Sequence, residues 1–343
     1  MRRRAVVCLG VMMVVSAVIG AGPAAWPGKA QAPSFDGARA FAHVERLVAL
    51  GPRPAGSPAL RQARAYLTRQ LASLGLTVQE QPFTASTPVG PVEMVNLIVR
   101  LPGDRPERIL VAGHYDTKPM REPFVGANDG GSSAAFLVEL ARVLVARPQA
   151  LTYEIIWFDG EEAFCEGWTE CGSAARPDNT YGSRAYVDAA RAAGALPSLK
   201  ALVLVDMIGD RQLEIRRDTN STPWLVDTVW AAARRLGHAR TFVERDLAVE
   251  DDHLPFLQAG VPSVDLIDLD YPAWHTPADT IDQVSPDSLQ IVGDVLLDAL
   301  PAIERGLTGS EKSEVRSQEF QKLRSSKFEL RSSKFSALLT SYF

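Results

Sequence analysis

The sequence predicts an α/β domain with a mostly parallel β-sheet that helices cover on both faces. Apolar runs of strand length alternate with segments whose apolar residues recur at helical spacing, which is typical of strand–helix–strand units. Several runs, such as 200–209, are apolar almost throughout, as expected for strands that are buried on both faces. Acidic residues and histidines follow these runs, where open parallel sheets form their sites.

The predicted elements follow one another along most of the chain. Helical spacing predicts helices at 36–50, 59–74, 132–146, 181–193, 222–237, 253–259 and 286–304. Strands are predicted at 76–83, 93–101, 108–114, 152–160, 200–209 and 262–267. In the third helix, Ser132 or Ser133 is expected near the N-cap, because serine hydroxyls accept from free amide groups there.

The two ends of the chain differ from this body. Residues 1–32 combine a basic start, an apolar stretch and small residues, which predicts an export signal that is either cleaved or kept as an N-terminal anchor. Residues 33–306 form the predicted domain. Residues 307–343 form a polar tail in which LRSSKF occurs at 323–328 and again at 330–335, and we expect loose order there and assign no function.

The formal net charge of −5 is unevenly distributed. The segment 1–32 carries +4 and the segment 311–343 carries +3, which leaves −12 for residues 33–310. An acidic body disfavours nucleic acid and anionic membranes as partners. We therefore expect no nucleic-acid partner and no membrane partner beyond an N-terminal anchor. From the segment 1–32 we expect an exported protein, periplasmic or secreted, and we expect it to be a monomer.

Three cysteines occur, and Cys8 lies within the predicted signal. Cys165 and Cys171 remain, and in an exported protein they could form a disulfide that closes a small loop. Two free thiols are the alternative. A zinc site on these two residues is disfavoured, because neither a CxxC spacing nor a neighbouring histidine supports it.

Six motifs with acidic or histidine residues follow the predicted strands in order. They are GHYD with His114 and Asp116, GANDGG with Asp129, FDGEE with Glu161 and Glu162, VDMIG with Asp206, EDDH with Asp251, Asp252 and His253, and WHTPADT with His275. Each motif alone is more typical of a capped turn than of a ligand. Together, at the carboxyl ends of strands, they predict one site.

Histidine and carboxylate ligands favour a divalent metal of borderline softness, most often zinc. A metal also accounts for Glu161 and Glu162, whose adjacent carboxylates would repel each other at the end of a buried strand. One glutamate can bind the metal while the other remains free as an acid/base group.

Taken in order, these motifs resemble the zinc-dependent exopeptidase clan that holds the M28-type aminopeptidases and the animal-type glutaminyl-peptide cyclotransferases. The resemblance covers residues 36–304 and includes the LGPRPAGSP loop. It implies a single phosphorylase/hydrolase-like α/β domain, a three-layer sandwich with a central mixed sheet. It also implies that peptide or protein N-termini are the substrates.

The same resemblance implies a role for each matching residue. Asp129, Glu162 and His275 match the zinc ligands common to both branches, and Glu161 matches the general base or acid. His114 and Asp206 match the ligands of a second zinc in the aminopeptidases. In the cyclotransferases that second site is usually empty although similar residues persist, so we expect one zinc ion, with two as the alternative.

Three features favour the cyclotransferase branch. Trp168 follows FDGEEAF, Asp251 stands where aminopeptidases usually have serine, and Trp274 stands where they more often have Tyr or Phe. The resemblance makes Glu161, Asp251 and Asp206 the catalytic residues, with Trp168 and Trp274 as the walls of the substrate pocket. Both tryptophans could instead be packing residues, and Asp252 and His253 are expected only to brace their loop.

Other features favour the aminopeptidases. DMIGD and HTPADTIDQVSP are similar to bacterial aminopeptidase sequences, and Glu250 stands where animal cyclases tend to have glutamine. The favoured prediction is cyclisation of N-terminal glutamine to pyroglutamate with loss of ammonia. The alternatives are hydrolysis by a di-zinc aminopeptidase and an inactive metal- or peptide-binding module.

Overall fold

A six-stranded mixed sheet forms the centre of the computed structural model, which describes residues 33–173 and 176–309. The strands in chain order are β1 (Val78–Thr87), β2 (Gly90–Leu101), β3 (Arg105–His114), β4 (Leu151–Phe158), β5 (Gly172–Ser173), β6 (Arg176–Pro177), β7 (Leu199–Asp206), β8 (Ile215–Asp218), β9 (Phe242–Leu247) and β10 (Ser263–Ile267). The central sheet has the order β1-β2-β4-β3-β7-β10. The β1–β2 and β2–β4 pairs are antiparallel, and the other three are parallel.

Seven α-helices are found in the described residues. They are α1 (Gly37–Val48), α2 (Pro58–Ser73), α3 (Gly131–Leu144), α4 (Tyr181–Ala192), α5 (Pro223–Arg235), α6 (Leu254–Gln258) and α7 (286–309). The first two begin at polar caps. The Asp36 side chain accepts from two amide groups of the first turn of α1, and Ser57 accepts from the Leu60 amide at the start of α2.

The inner strands are buried on both faces, and consecutive side chains join different layers of the core. In β4, Ile155 and Trp157 pack into the larger cluster with α1, α2, α3, α5 and α7, whereas Ile156 and Phe158 pack into the smaller cluster with α4 and α6. This alternation follows from the two-residue period of a strand. It confirms the predicted three-layer α/β sandwich, and the described residues form a single domain.

The structure corrects several predicted boundaries. The strand predicted at 200–209 ends at Asp206, because Met207 adopts a positive φ of 45° and the chain turns away. Ser132 and Ser133 lie near the N-cap of α3, as expected, but neither side chain caps the helix. Gly130 is the N-cap, and the Ser132 hydroxyl donates to the Asn128 carbonyl instead. The small sheet of β8 and β9 was not predicted, because these short strands carry too many charged residues to stand out from loops.

The carboxyl ends of β3, β4, β7 and β10 lie at one edge of the sheet, so this topology places the predicted site there. No helix among residues 33–173 and 176–309 is long and apolar enough to cross a membrane. The predicted export signal at 1–32 and the repeat-containing part of the tail at 310–343 lie outside the described residues.

Candidate active site and metal centre

The site begins where three neighbouring strands end. His114 is the last residue of β3 and Asp206 is the last residue of β7, while Glu161 and Glu162 follow β4 after a tight turn. Gly160 makes that turn with a φ of 72°, a conformation that residues with a Cβ rarely adopt. The turn keeps both glutamates at the edge of the sheet, whereas a straight continuation of β4 would carry them away from it.

Asp129, Glu162 and His275 form the first potential metal site, and each offers an atom within 4.8 Å of the other two. His275 Nε2 lies 3.3 Å from Asp129 Oδ2 and 3.2 Å from Glu162 Oε2. Ligands about 2.0–2.1 Å from a tetrahedral zinc ion stand about 3.3 Å apart. Asp129 Oδ2 and both Glu162 carboxylate oxygens are buried without a hydrogen-bond partner. The residues present therefore fit a zinc ion.

His275 is held in this position by its backbone and by two aromatic rings. Its φ is 50°, which is uncommon for a residue other than glycine and is the kind of strain that functional sites retain. The Trp274 ring stacks on the imidazole with centroids 4.4 Å apart, and Phe124 meets it edge-on at 5.9 Å. These contacts fix the direction of the imidazole toward the two carboxylates.

A second group of potential ligands shares Asp129 with the first. His114 Nε2 lies 3.2 Å from Asp129 Oδ1 and 3.1 Å from Asp206 Oδ1. The two carboxylate oxygens of Asp129 thus face different histidines, as a bridging ligand would. The structure brings together all five predicted ligand residues, and their arrangement is compatible with one metal ion or with two.

Two aspartates with no predicted role position the ligand loops. Asp116 is fully buried, and its carboxylate accepts from the backbone amides of Glu161 at 3.2 Å and Glu162 at 3.4 Å. Asp279 accepts from the amides of Asn128 at 2.8 Å and Asp129 at 3.0 Å. The motifs GHYD and HTPADT contain these aspartates, but sequence spacing alone does not show which amides they accept from.

Burial and neighbouring charges shape the proton affinities of the site. Burial raises the pKa of the Glu161 carboxyl well above its usual range, and Glu162 and Asp251 raise it further against the opposing effect of His114. Burial likewise raises the pKa of Asp251, with Asp206 and Asp252 adding to the effect. These two carboxyls hold protons more tightly than exposed acids do, which suits groups that take up and release a proton.

On the pKa of His275, burial and the neighbouring carboxylates act in opposite directions. Burial lowers its pKa, but Glu162 and Asp129 outweigh burial and raise the pKa to about 10. In the absence of a metal, this imidazole is therefore protonated near neutral pH. A zinc ion must displace that proton, because only the neutral ring can coordinate it.

Trp168 and Trp274 both line a cavity of about 270 Å³ above these residues. The floor carries Glu161, Glu162 and Asp251, and Val249, Ile267 and Leu269 supply apolar wall. Trp274 is 40% exposed, so it lies at the mouth of the cavity and is not a packing residue of the core. The structure therefore places both predicted tryptophans beside the potential metal site; we refer to this space as the reaction cavity.

Cys165 and Cys171 form a disulfide, as predicted, and it closes the loop that carries Trp168. The buried Lys118 ammonium donates to the carbonyl oxygens of Ala163 and Cys165, both at 3.1 Å. Asn179 donates its side-chain amide to the Trp168 carbonyl at 3.1 Å. Lys118 thus holds the start of the loop, Asn179 holds its middle at Trp168, and the disulfide joins its two ends.

Asp252 and His253 do not line the reaction cavity. The Ser183 hydroxyl donates to Asp252 at 2.5 Å, which links the loop to α4. His253 is fully buried, with its Nε2 3.2 Å from Asp218, and Asp265 of β10 lies 3.8 Å from its Nδ1. These contacts agree with the predicted bracing role. Asp265 was not predicted as a site residue, although one acid in an otherwise apolar strand was a visible signal.

Comparison with known proteins places the chain in a family. Residues 96–300 match the model of peptidase family M28. Over 275 residues the chain is 32% identical to the glutaminyl-peptide cyclotransferase-like protein of Mus musculus, a match that covers 71% of this chain and 70% of the mouse protein. The chain belongs to the glutaminyl-peptide cyclotransferase branch of peptidase family M28.

Solved structures agree with this membership. A glutaminyl cyclase from an Acidobacteriales bacterium superposes with a TM-score of 0.75 and 39% identity, over 82% of this chain and 99% of the other. A leucine aminopeptidase precursor from Bacteroides thetaiotaomicron superposes with a TM-score of 0.72 and 26% identity, over 78% and 98% of the two chains. The M28 fold thus accommodates proteins that carry either name.

Proposed function

We propose that this M28 protein is a zinc-dependent enzyme that converts N-terminal glutamine of peptides or proteins to pyroglutamate and releases ammonia. One observation carries the proposal. A second buried carboxyl, Asp251, lines the same cavity as Glu161 and raises its pKa. A proton must leave one nitrogen and reach another during cyclisation, and a pair of high-pKa carboxyls can hold it in transit.

Asp129, Glu162 and His275 would hold the zinc ion. When bound, zinc supplies a Lewis acid that polarises the side-chain amide carbonyl of the substrate glutamine. Coordination would also offset the charge of Glu162 and so reduce its repulsion of Glu161. Glu161 then remains free as the proton carrier next to the reacting atoms.

Glu161 acts first as a base. An α-ammonium group has a pKa of about 7.7–8.0, and the raised pKa of Glu161 narrows the difference between proton donor and acceptor. The carboxylate takes one proton, and the freed amine attacks the side-chain Cδ to form the ring C–N bond. Glu161 returns that proton to the amide nitrogen, the original Cδ–N bond breaks, and ammonia leaves. The Glu161 carboxylate then takes the second proton from the ring nitrogen and passes it to the ammonia, so that the net products are a neutral lactam and ammonium. No water is consumed.

Asp251 and Asp206 line the reaction cavity with Glu161 and would help to hold its proton. Asp251 has one unpartnered buried oxygen, and Asp206 Oδ1 lies 3.1 Å from His114 Nε2, so both can take part in a proton network. Trp168 and Trp274 enclose the glutamine and hold the amine near Cδ. Since the reaction is already intramolecular, this positioning supplies much of the rate.

Hydrolysis by a di-zinc aminopeptidase is the second candidate, and the position of Asp129 favours it. Its two oxygens face His275 and His114, the arrangement that a bridging carboxylate needs. In that case Glu161 would deprotonate water and a free N-terminal amino acid would be released. The products of the two reactions distinguish the candidates directly.

We also infer that the enzyme acts outside the cytoplasm. The Cys165–Cys171 disulfide supports this, because disulfides persist in oxidising compartments. The basic and apolar segment 1–32 is consistent with export.

The test is an ammonia-release assay on a peptide with N-terminal glutamine, with the wild type and Glu161→Gln compared at equal zinc content. We expect one ammonia per pyroglutamyl peptide from the wild type and no turnover from the variant, which keeps its metal ligands. Release of free glutamine without ammonia would overturn the proposal and support the aminopeptidase.

A further inference from the structure

A second cavity of about 460 Å³ adjoins the reaction cavity, and Trp168, Glu250 and Asp251 line both. These three residues therefore form the boundary between the two spaces. Ligand sites usually measure about 300–1,000 Å³, so the reaction cavity of about 270 Å³ suits a single residue. The rest of a peptide substrate must leave the reaction cavity, and the boundary residues lie beside one way out.

The wall of the second cavity is suited to a peptide backbone. Thr169 and Gln258 offer a hydroxyl and an amide group along it. Asn179 and Thr180 also line it, but the Thr180 hydroxyl donates to the Asn179 side-chain oxygen and the Asn179 amide donates to the Trp168 carbonyl. Arg184 stiffens this wall, because its guanidinium donates to the carbonyl oxygens of Pro177 at 2.9 Å and Asn179 at 2.6 Å and lies over the Tyr181 ring. The cationic charge of Arg184 is thus engaged with the protein itself.

Glu250 differs from the other acids around the two cavities. Asp129, Glu161, Glu162, Asp206 and Asp251 are buried, whereas Glu250 is exposed. Within residues 33–173 and 176–309, no group pairs with the Glu250 carboxylate. An exposed, unpaired carboxylate at the boundary is available to a substrate cation, and the charge of −12 on residues 33–310 favours the approach of one.

We propose that the second cavity is the subsite for the residues that follow N-terminal glutamine, and that Glu250 selects peptides with lysine or arginine at the second position. The side chain of that residue passes the boundary as the peptide leaves the reaction cavity. This inference rests on the proposed function and adds a substrate class to it.

The test measures kcat/KM for three tetrapeptides, in which lysine, norleucine or glutamate follows the N-terminal glutamine. Norleucine keeps the length of lysine without its charge. For the wild type we expect a lysine preference of about 3-fold over norleucine and about 10-fold over glutamate, the range of an exposed charge pair. In Glu250→Gln the lysine-to-norleucine ratio should fall to about one, and in Glu250→Lys the preference should reverse.

Glu45→Gln is the matched control, because Glu45 is an exposed glutamate on α1 that lines neither cavity. It should keep the wild-type ratios. A second variant, Gln258→Trp, tests the cavity itself. It should lower kcat/KM for the tetrapeptides relative to glutaminamide, which is too short to reach the second cavity.

The outcomes separate the two proposals. Three results would refute the subsite proposal and leave the proposed cyclisation intact. They are equal rates on the three peptides, an unchanged lysine preference in Glu250→Gln, and an unchanged tetrapeptide-to-glutaminamide ratio in Gln258→Trp. If none of the peptides loses ammonia, the proposed function is wrong, and the subsite proposal that depends on it is wrong as well.

Discussion

The Nε2 atom of His275 lies 3.2 Å from Oε2 of Glu162 and 3.3 Å from Oδ2 of Asp129. The turn after β4 and the loop after β10 thus supply two of the three ligands of one potential zinc site. The neighbouring Glu161 is not part of this group, and it lines the reaction cavity together with Asp251. The adjacent glutamates therefore have separate roles, one as a metal ligand and one as a proton carrier.

Zinc affinity is expected to rise with pH. The pKa of His275 without metal is about 10, so zinc must displace at least one proton at any pH well below that value. The apparent zinc dissociation constant should fall about tenfold per pH unit between about pH 6 and pH 8. Competition with a chromogenic chelator measures it. A pH-independent dissociation constant would show that His275 is not a ligand.

Asp251→Ser should lower kcat for glutamine cyclisation by at least about 100-fold, because the proton network around Glu161 loses one of its carboxyls. The matched control is Asp246→Ser, which changes an exposed aspartate on β9. Both variants should keep their zinc. A loss below about threefold in Asp251→Ser would remove Asp251 from the mechanism and favour a peptidase.

Asp116→Asn should lower zinc affinity or kcat/KM by about 10- to 100-fold, the usual effect of losing a group that orients metal ligands. The asparagine has only one oxygen to accept from the Glu161 and Glu162 amides, and its NH₂ group would face the other amide. Asp104→Asn, at an exposed position, is the control. Metal content and steady-state kinetics would reveal the effect, and wild-type behaviour would refute it.

Replacing both cysteines, Cys165→Ser with Cys171→Ser, should lower the free energy of unfolding by about 2 kcal/mol, because the disulfide closes a short loop. KM should rise more than kcat falls, since Trp168 lies within that loop. Chemical denaturation and kinetics measure the two effects separately. An unchanged KM would mean that Lys118 and Asn179 hold the loop without the disulfide.

Asp159 is expected to make the protein less stable as pH rises. Burial, aided by Asp116, raises its pKa from 3.8 to about 8, so folding favours the protonated carboxyl. Its stabilising contribution is full below about pH 4 and is lost as pH rises to about 8. Asp159→Asn keeps an acceptor for the Val95 amide and should flatten this part of the stability profile. Parallel pH profiles for wild type and variant would contradict the assignment.

The sequence predicted the layers and the site because both follow from short-range rules. Strands such as 108–114 are apolar on both faces, and their C-terminal ends converge in any parallel arrangement, so the order of the motifs was enough to bring His114, Asp129 and Asp206 together. Of the two alternatives for Cys165 and Cys171, the structure has the disulfide and not two free thiols. The monomeric state and the export signal stay predictions.

Features that depend on long-range packing could not be predicted in this way. The carboxylates of Asp116 and Asp279 accept from backbone amides that only the folded loops place within reach. The boundary position of Glu250 depends on how the Trp168 loop packs beside the loop before α6. Sequence spacing carries no information on either arrangement.

The most direct test of glutamine cyclisation is product analysis in heavy-oxygen water. The zinc-loaded enzyme acts on a peptide with N-terminal glutamine, and mass spectrometry identifies the product and its oxygen isotopes. We predict a pyroglutamyl peptide without solvent oxygen and one ammonia per turnover, because the attacking atom is the substrate's own amine. Free glutamine with heavy oxygen in its carboxylate would contradict the account and show that Glu161 activates water.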